Sequence, residues 1–267
     1  IGGVLGPLAW DSELRMRCLQ PRIGRVIAIS SFLERYYRAH GCVVLRVPPL
    51  IDMDDGRPNQ ADQVSRKDKN DVLRLVYAGS FGKKDLLGNA IRGLRDLRSS
   101  GLPVVLDLVG PSRQTAATCL GGARLLDELG GSVVCHGRVP HKVALGLVAG
   151  GDFSILLRPD KPYAHAGFPT KLVESLSLGV PIITNRTSDI AEYVREGQEG
   201  ILLEDSTPGA FVAGVQRVLD LPRQQWGAMK GKARQRARDC FDYRNYVRPL
   251  KEFMRNAIQA PRRARQK

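Results

Sequence analysis

The chain has 267 residues, a hydrophobic share of 43%, a charged share of 25% and a formal net charge of +14, the profile of a globular chain long enough to bury a large core. No stretch approaches the roughly 20 uninterrupted apolar residues of a membrane span, and the apolar start IGGVLGPLAW has no basic flank, so it reads as the cut edge of a longer chain and not as a signal peptide. Cys18, Cys42, Cys119, Cys135 and Cys240 stand far apart with no CxxC, which fits reduced thiols in a cytoplasmic protein and argues against disulfides or a zinc site.

In chain order, the first 56 residues offer the strand RVIAIS (25–30), the helix SFLERYYRAHG closed by Gly41, and the strand CVVLRVPP. So few elements cannot stand alone. Residues 1–56 are expected to be the remnant of an N-terminal Rossmann-like domain, and the polar stretch over 57–71 a linker. From residue 73 the strand runs LRLVYAG, PVVLDLVG, SVVCHG, DFSILLRP, PIIT and GILLE alternate with helical patterns such as the Leu87, Ile91, Leu94, Leu97 stripe. That rhythm predicts right-handed βαβ units. The fold class is α/β, a doubly wound, Rossmann-like parallel sheet over residues 72–240, beside a truncated second Rossmann-like domain.

After residue 205 the pattern is helical. Residues 222–267 hold 14 of the 41 Lys/Arg and only 3 of the 27 Asp/Glu, so the basicity belongs mainly to the tail. A solvated basic face is one reading and contact with an anionic membrane surface another; nucleic acid is disfavoured, because few aromatic residues lie among the charges. Residues 241–267 read as a crossing helix with a basic end. Tyr243, Tyr246, Val247, Leu250, Phe253 and Met254 make one apolar face, expected to pack on residues 1–50 and, with that domain truncated, to stay partly exposed.

Ligands of an open parallel sheet sit beyond the carboxyl ends of its strands, where three loops carry suitable chemistry. In AGSFGKKD (78–85), Gly79 lets the backbone approach a ligand, and Lys83 and Lys84 are expected to open the next helix, where the dipole and free N–H groups favour an anion. In HGRVPH (136–141), the turn at Gly137, Arg138, Val139 and Pro140 offers backbone to the edge of a base. His136 and His141 lack a neighbouring carboxylate in the sequence, so no metal is assigned. In GFPTKLVESLSLGVPIIT (167–184), Pro169 enters a helix, Thr170 is expected to cap it, Leu172 faces the core, Gly179 ends it, and Lys171 and Glu174 share one face. A surface ion pair between those two is the plain alternative to ligand binding.

VYAGSFGKKDLL, CHGRVPHKVALGLVAGGDFSILLRP, GFPTKLVESLSLGVPIIT and DIAEYVREGQEGILLE follow the order and spacing of the group 1, family four, GT-B glycosyltransferases. Residues from about 22 to 255 resemble that family. The resemblance implies a C-terminal domain that binds a nucleotide sugar, UDP- or GDP-linked, and a retaining, metal-independent transfer to a glycan or lipid-linked acceptor, with the donor as substrate and no cofactor. It implies that Glu174, the second glutamate of the E-x7-E motif, holds the ribose as the catalytic-site carboxylate. Lys84 or Lys83 would meet the diphosphate, Val139 the base, and the Pro169–Leu172 turn the phosphates, with Gly79, Ser80, Arg138, Thr170 and Lys171 around the donor. Two positions depart from the pattern: Ala166 stands where the first glutamate falls, and Ser80 where an arginine is common. A GT-B nucleotide-sugar epimerase and a non-catalytic nucleotide-binding module stay open as alternatives. Residues 1–267 alone are expected to bind a donor without transferring its sugar.

Overall fold

A computed structural model describes residues 14–56, 72–82 and 84–259; the expected linker at 57–71, Lys83 and the basic end at 260–267 lie outside them. Two strands, β1 (Arg25–Ala28) and β2 (Val43–Arg46), pair in parallel and are connected by the Ser31–Ala39 helix, which Ser30 caps by accepting a hydrogen bond from the Leu33 N–H. Six more form one parallel sheet: β3 (Leu73–Ala78), β4 (Val104–Val109), β5 (Val133–Gly137), β6 (Phe153–Leu156), β7 (Ile182–Asn185) and β8 (Gly200–Leu203). Their order is β5-β4-β3-β6-β7-β8. The strands wind outwards in both directions from the β3/β6 boundary, the doubly wound arrangement the alternation predicts.

Alternation along β3 explains why helices cover both faces. Leu73, Leu75 and Tyr77 point to the side where Leu87, Ile91 and Leu94 of the Leu87–Ser99 helix and Phe211 and Val215 of the Pro208–Asp220 helix pack. Val76 points the other way, towards Leu145 and Val148 of the His141–Ala149 helix. Also on that side, Leu156, Ile182 and Leu202 bury Leu172, Val173 and Leu176 of the Thr170–Ser177 helix, with Ala233, Ala237 and Phe241 of the Arg223–Phe241 helix in the same cluster. Each such buried side chain contributes about 1.5–3 kcal/mol, so three residues fix the 170–177 helix against the sheet.

The small sheet leans on the large domain through polar contacts. The Ser31 N–H and hydroxyl donate to the buried Asp189 carboxylate at 2.7 and 2.6 Å. Arg46 pairs with Asp189 at 3.1 Å and with Glu192 at 2.9 Å. Further along, the Ile51 N–H donates to the Phe241 carbonyl and the Tyr243 N–H to the Ile51 carbonyl. The last helix, Arg244–Gln259, buries none of its residues. Arg244, at its start, pairs with Asp52 and Asp54 at 3.0 and 3.2 Å, and Val247, Met254 and Ile258 are exposed. Much of the apolar face expected to pack on residues 1–50 is therefore uncovered, and the small sheet also leaves Ile27 and Val43 in solvent. Among the described residues, no helix is long and apolar enough to cross a membrane.

Candidate functional site

The carboxyl ends of β3 and β6 and the start of the 170–177 helix converge at the switch in strand order. Pro169, in extended backbone at φ −79 and ψ 109, is the residue that caps this helix, and among the described residues there is no side-chain hydrogen bond at the cap. Thr170 is thus not the expected cap. A cap needs extended backbone, which Pro169 adopts one position earlier, leaving Thr170 as the first helical residue. The consequence is a helix start with no capping side chain among the described residues to answer its dipole. At the far end Gly179 turns at φ +74, with Val180 N–H donating to Ser175 O at 2.9 Å and Gly179 N–H to Leu176 O at 3.0 Å. This closing motif uses glycine's freedom at positive φ and feeds the chain directly into β7.

Lys171 and Glu174 do not pair with each other. The Lys171 ammonium bonds the Asp85 carboxylate and lies 3.2 Å from the Tyr77 hydroxyl, over the ring of the same tyrosine. Tyr77 donates to Asp85 at 2.9 Å; burial pushes its phenol pKa up, and the neighbouring Asp85 charge adds to the rise. Gly79 sits at φ +150, and a β-carbon there would collide with the Lys171 side chain. Any other residue here would strain the backbone and push the lysine tip aside.

Glu174 is partly exposed, and among the described residues its carboxylate has neither an ion-pair nor a hydrogen-bond partner. Lys171, Glu174, Val76, Ala78 and Val148 line one pocket. The buried Ser154 hydroxyl, without a partner among the described residues, opens on the same pocket.

The two flanking loops are placed differently. Ser80 is exposed, and its carbonyl lies 2.8 Å from the Tyr77 hydroxyl, sharing that one proton with Asp85. Lys84 is exposed in a turn and does not open the next helix, which starts at Leu87. The cause is tertiary: Asp85 is tied to Tyr77 and Lys171, and the Leu86 N–H donates to the Leu157 carbonyl at 2.7 Å, so the backbone stays bound to the end of β6 before it can coil. After β5, Arg138 is exposed and Val139 half-buried against the Val76–Val148 cluster. His136 is held by the buried Asp107 at 2.7 Å, which also pairs with Arg74 at 2.7 Å; this is a framework contact within the sheet. Among the described residues, no group of three or more His, Cys, Asp or Glu side chains is placed to hold a metal ion.

Three residues that the sequence reading passed over shape the site: Tyr77, Asp85 and Arg158. Arg158 follows β6 and is 7% exposed. Its backbone is clamped by Asn185, which accepts from the Arg158 N–H and donates to the Arg158 carbonyl, both at 2.9 Å. Its guanidinium donates to the Ala164 carbonyl at 3.2 Å. Burial pulls its pKa down, against the opposing charge of Asp85. The loop that follows is held at successive carbonyls, Ala166 by the Ser30 hydroxyl at 2.9 Å and Gly167 by the Ser188 hydroxyl at 2.7 Å. Ala166 thus meets Ser30, beside the small sheet, through its backbone carbonyl.

Comparison with known proteins places this geometry. Residues 72–221 match the family described as Glycosyl transferases group 1, and a search of curated proteins finds no match. Among solved structures, the chain is similar to sucrose-phosphate synthase from Thermosynechococcus elongatus, with a TM-score of 0.72 at 19% identity, over 93% of this chain and 63% of that one. It is similar to Anabaena Alr3699/HepE in complex with UDP and glucose, with a TM-score of 0.68 at 14% identity, over 87% and 63%. A glycosyltransferase from Rickettsia africae ESF-5 gives a TM-score of 0.70 at 12% identity, over 98% and 69%. The chain therefore spans about two thirds of the length of these structures. At such identities the likeness is one of fold.

Proposed function

We propose that this chain, which belongs to the group 1 glycosyl transferases, takes a nucleotide sugar into the crevice beyond β3 and β6 and passes its sugar to a glycan or lipid-linked acceptor. The observation that carries this reading is the Glu174 carboxylate, which has no partner among the described residues beside a helix start that no side chain caps. A carboxylate so placed accepts two ribose hydroxyls, while the helix N–H groups and Lys171 meet the diphosphate. Gly79 and Ser80 bring backbone to the phosphates, the Pro169–Leu172 turn lies beneath them, and Arg138 and Val139 border the base. The donor is UDP- or GDP-linked; the Anabaena relative was solved with UDP-glucose. Transfer is retaining and metal-independent, since cationic side chains and the helix dipole stabilise the departing diphosphate. Acceptor binding needs a second wall to the crevice, for which residues 14–56 supply one edge. The exposed Arg248, Lys251 and Arg255 beside Met254 and Ile258 support contact with an anionic membrane surface.

The test joins one substitution to one ligand change. Glu174→Gln should weaken nucleoside diphosphate binding by roughly 1–3 kcal/mol and leave the melting temperature nearly unchanged. A 2′,3′-dideoxy analogue should lose affinity for the parent protein but no further affinity for the variant. If both measurements are flat, Glu174 does not hold a ribose. Incubation of the full-length protein with labelled UDP- and GDP-sugars should show sugar transfer or slow donor hydrolysis, whereas residues 1–267 alone should bind the donor without transfer. Sugar interconversion would point to an epimerase, and binding without turnover by the full-length protein to a non-catalytic module.

A further inference from the structure

We propose that Arg158 is the principal cationic contact for the donor's diphosphate, an inference that rests on the donor-binding reading above. A buried arginine is ordinarily matched by a carboxylate. Arg158 is 7% exposed, yet among the described residues it forms no ion pair, and its one side-chain hydrogen bond goes to the neutral Ala164 carbonyl at 3.2 Å. A guanidinium carries five N–H donors in a fixed planar fork suited to two phosphate oxygens at once. Most of that fork is unused.

Its position directs the fork at the donor. Along β6 and just beyond, Phe153, Ile155 and Leu157 pack on one face of the sheet, so Ser154, Leu156 and Arg158 face the 170–177 helix. One guanidinium nitrogen lies beside Gly167, two residues before Pro169 begins the uncapped helix start. The Asn185 clamp fixes the backbone from which the side chain springs, and burial with the Ala164 bond holds the side chain itself, so little rotamer freedom remains to be lost on binding. Lys171 approaches the same place but is bonded to Asp85. Of the two cations there, Arg158 alone keeps its charge unmatched by a contacting carboxylate among the described residues.

A purely structural Arg158, serving only to hold the Ala164 carbonyl, predicts something different, and the full chain can be used to separate the two. Arg158→Gln and Arg158→Lys would be compared with the parent for binding of UDP and GDP by calorimetry, and of uridine and guanosine by ligand-observed NMR, with thermal melting alongside. The expected result is at least a tenfold loss for whichever diphosphate the parent binds, with the nucleoside unaffected. Lys, which keeps the charge but not the fork, should fall between. Equal diphosphate binding in Arg158→Gln and parent would overturn the proposal, as would an equal loss for nucleoside and diphosphate. Should Arg158→Gln melt below the assay temperature, Arg158→Lys decides: a selective loss for the diphosphate supports the contact and an unchanged affinity overturns it. If the parent binds neither diphosphate, the donor-binding reading falls and this inference with it, whereas binding by the parent with an indifferent Arg158 defeats this inference alone.

Discussion

The two ends of the large sheet treat buried charge in opposite ways. At the amino end, just before β8, the Glu199 side chain is 1% exposed and fully answered: it accepts from Arg195 through the guanidinium at 2.5 Å and the backbone N–H at 2.9 Å, and from Arg236 at 3.3 Å. Asp152, before β6, likewise takes the Arg74 N–H at 2.9 Å and the Lys230 ammonium at 3.3 Å. At the carboxyl end Asp85 takes Lys171 and Tyr77 and Asp189 takes Ser31 and Arg46, but among the described residues Arg158 has no ion pair and the Glu174 carboxylate no partner. A set of charges that satisfy one another serves stability. A set with a surplus of donors on one side and an unmatched acceptor on the other costs stability and suits a polar, anionic ligand.

The largest expected effect belongs to the amino end. Glu199→Ala strands two arginines and should lower stability by about 2–3 kcal/mol, seen in chemical denaturation, without altering nucleotide affinity. Burial pushes the Glu199 carboxyl up, but the Arg195 hydrogen bonds and the Arg236 charge outweigh it, so its pKa lies below the ordinary value. A carboxyl held lower in the folded than in the unfolded chain stabilises above its unfolded pKa, and that contribution fades as pH falls through the folded one. Stability of the parent should therefore drop on acidification more steeply than that of Glu199→Ala. An identical pH slope in the two would remove Glu199 from the account.

Asp85→Asn should have the next largest effect and a mixed sign. It should cost roughly 1–2 kcal/mol of stability, through weaker hydrogen bonds to Tyr77 and Lys171. It should also tighten nucleoside diphosphate binding by up to about tenfold, because an unscreened Lys171 adds attraction at close range. A loss of both stability and affinity would mean that the carboxyl-end network is as structural as the amino-end one, and the contrast would fail. Lys84→Ala should do least. The side chain is exposed, so water and salt screen its attraction for a diphosphate, and binding should weaken about twofold at low salt and match the parent at about 0.5 M salt.

The strands and helices were legible because each is written locally. Leu73, Leu75 and Tyr77 alternate with polar or oppositely facing residues, and Pro169 and Gly179 bracket a helix whose apolar residues fall three and four apart. Glu174 was singled out by its spacing from Lys171, but that spacing suggested a pair that does not form. Lys171 finds Asp85 and Tyr77 instead, 86 and 94 positions away, and only the tertiary fold creates those contacts. Arg158 carries no such local signal: it stands at the end of the DFSILLRP run, and the clamp on its backbone comes from Asn185, 27 positions away. Hydroxyl residues favour the cap position, which points to Thr170, whereas the extended backbone belongs to Pro169.

The docking of the small sheet bears on how the chain comes to be folded at all. Ser31 and its acceptor Asp189 are 158 positions apart, and Ile51 is fixed between the Phe241 carbonyl and the Tyr243 N–H. Contacts that close such long loops are slow to form, since the entropy of closure must be met before any packing rewards it. During synthesis Ile51 and Met53 leave the ribosome long before Tyr193 and Phe241, with which they share a core. The parallel sheet from β3 to β8 can assemble domain-first while those residues wait uncovered, which makes the early segment the last to settle and a natural client for a chaperone that holds exposed apolar chain.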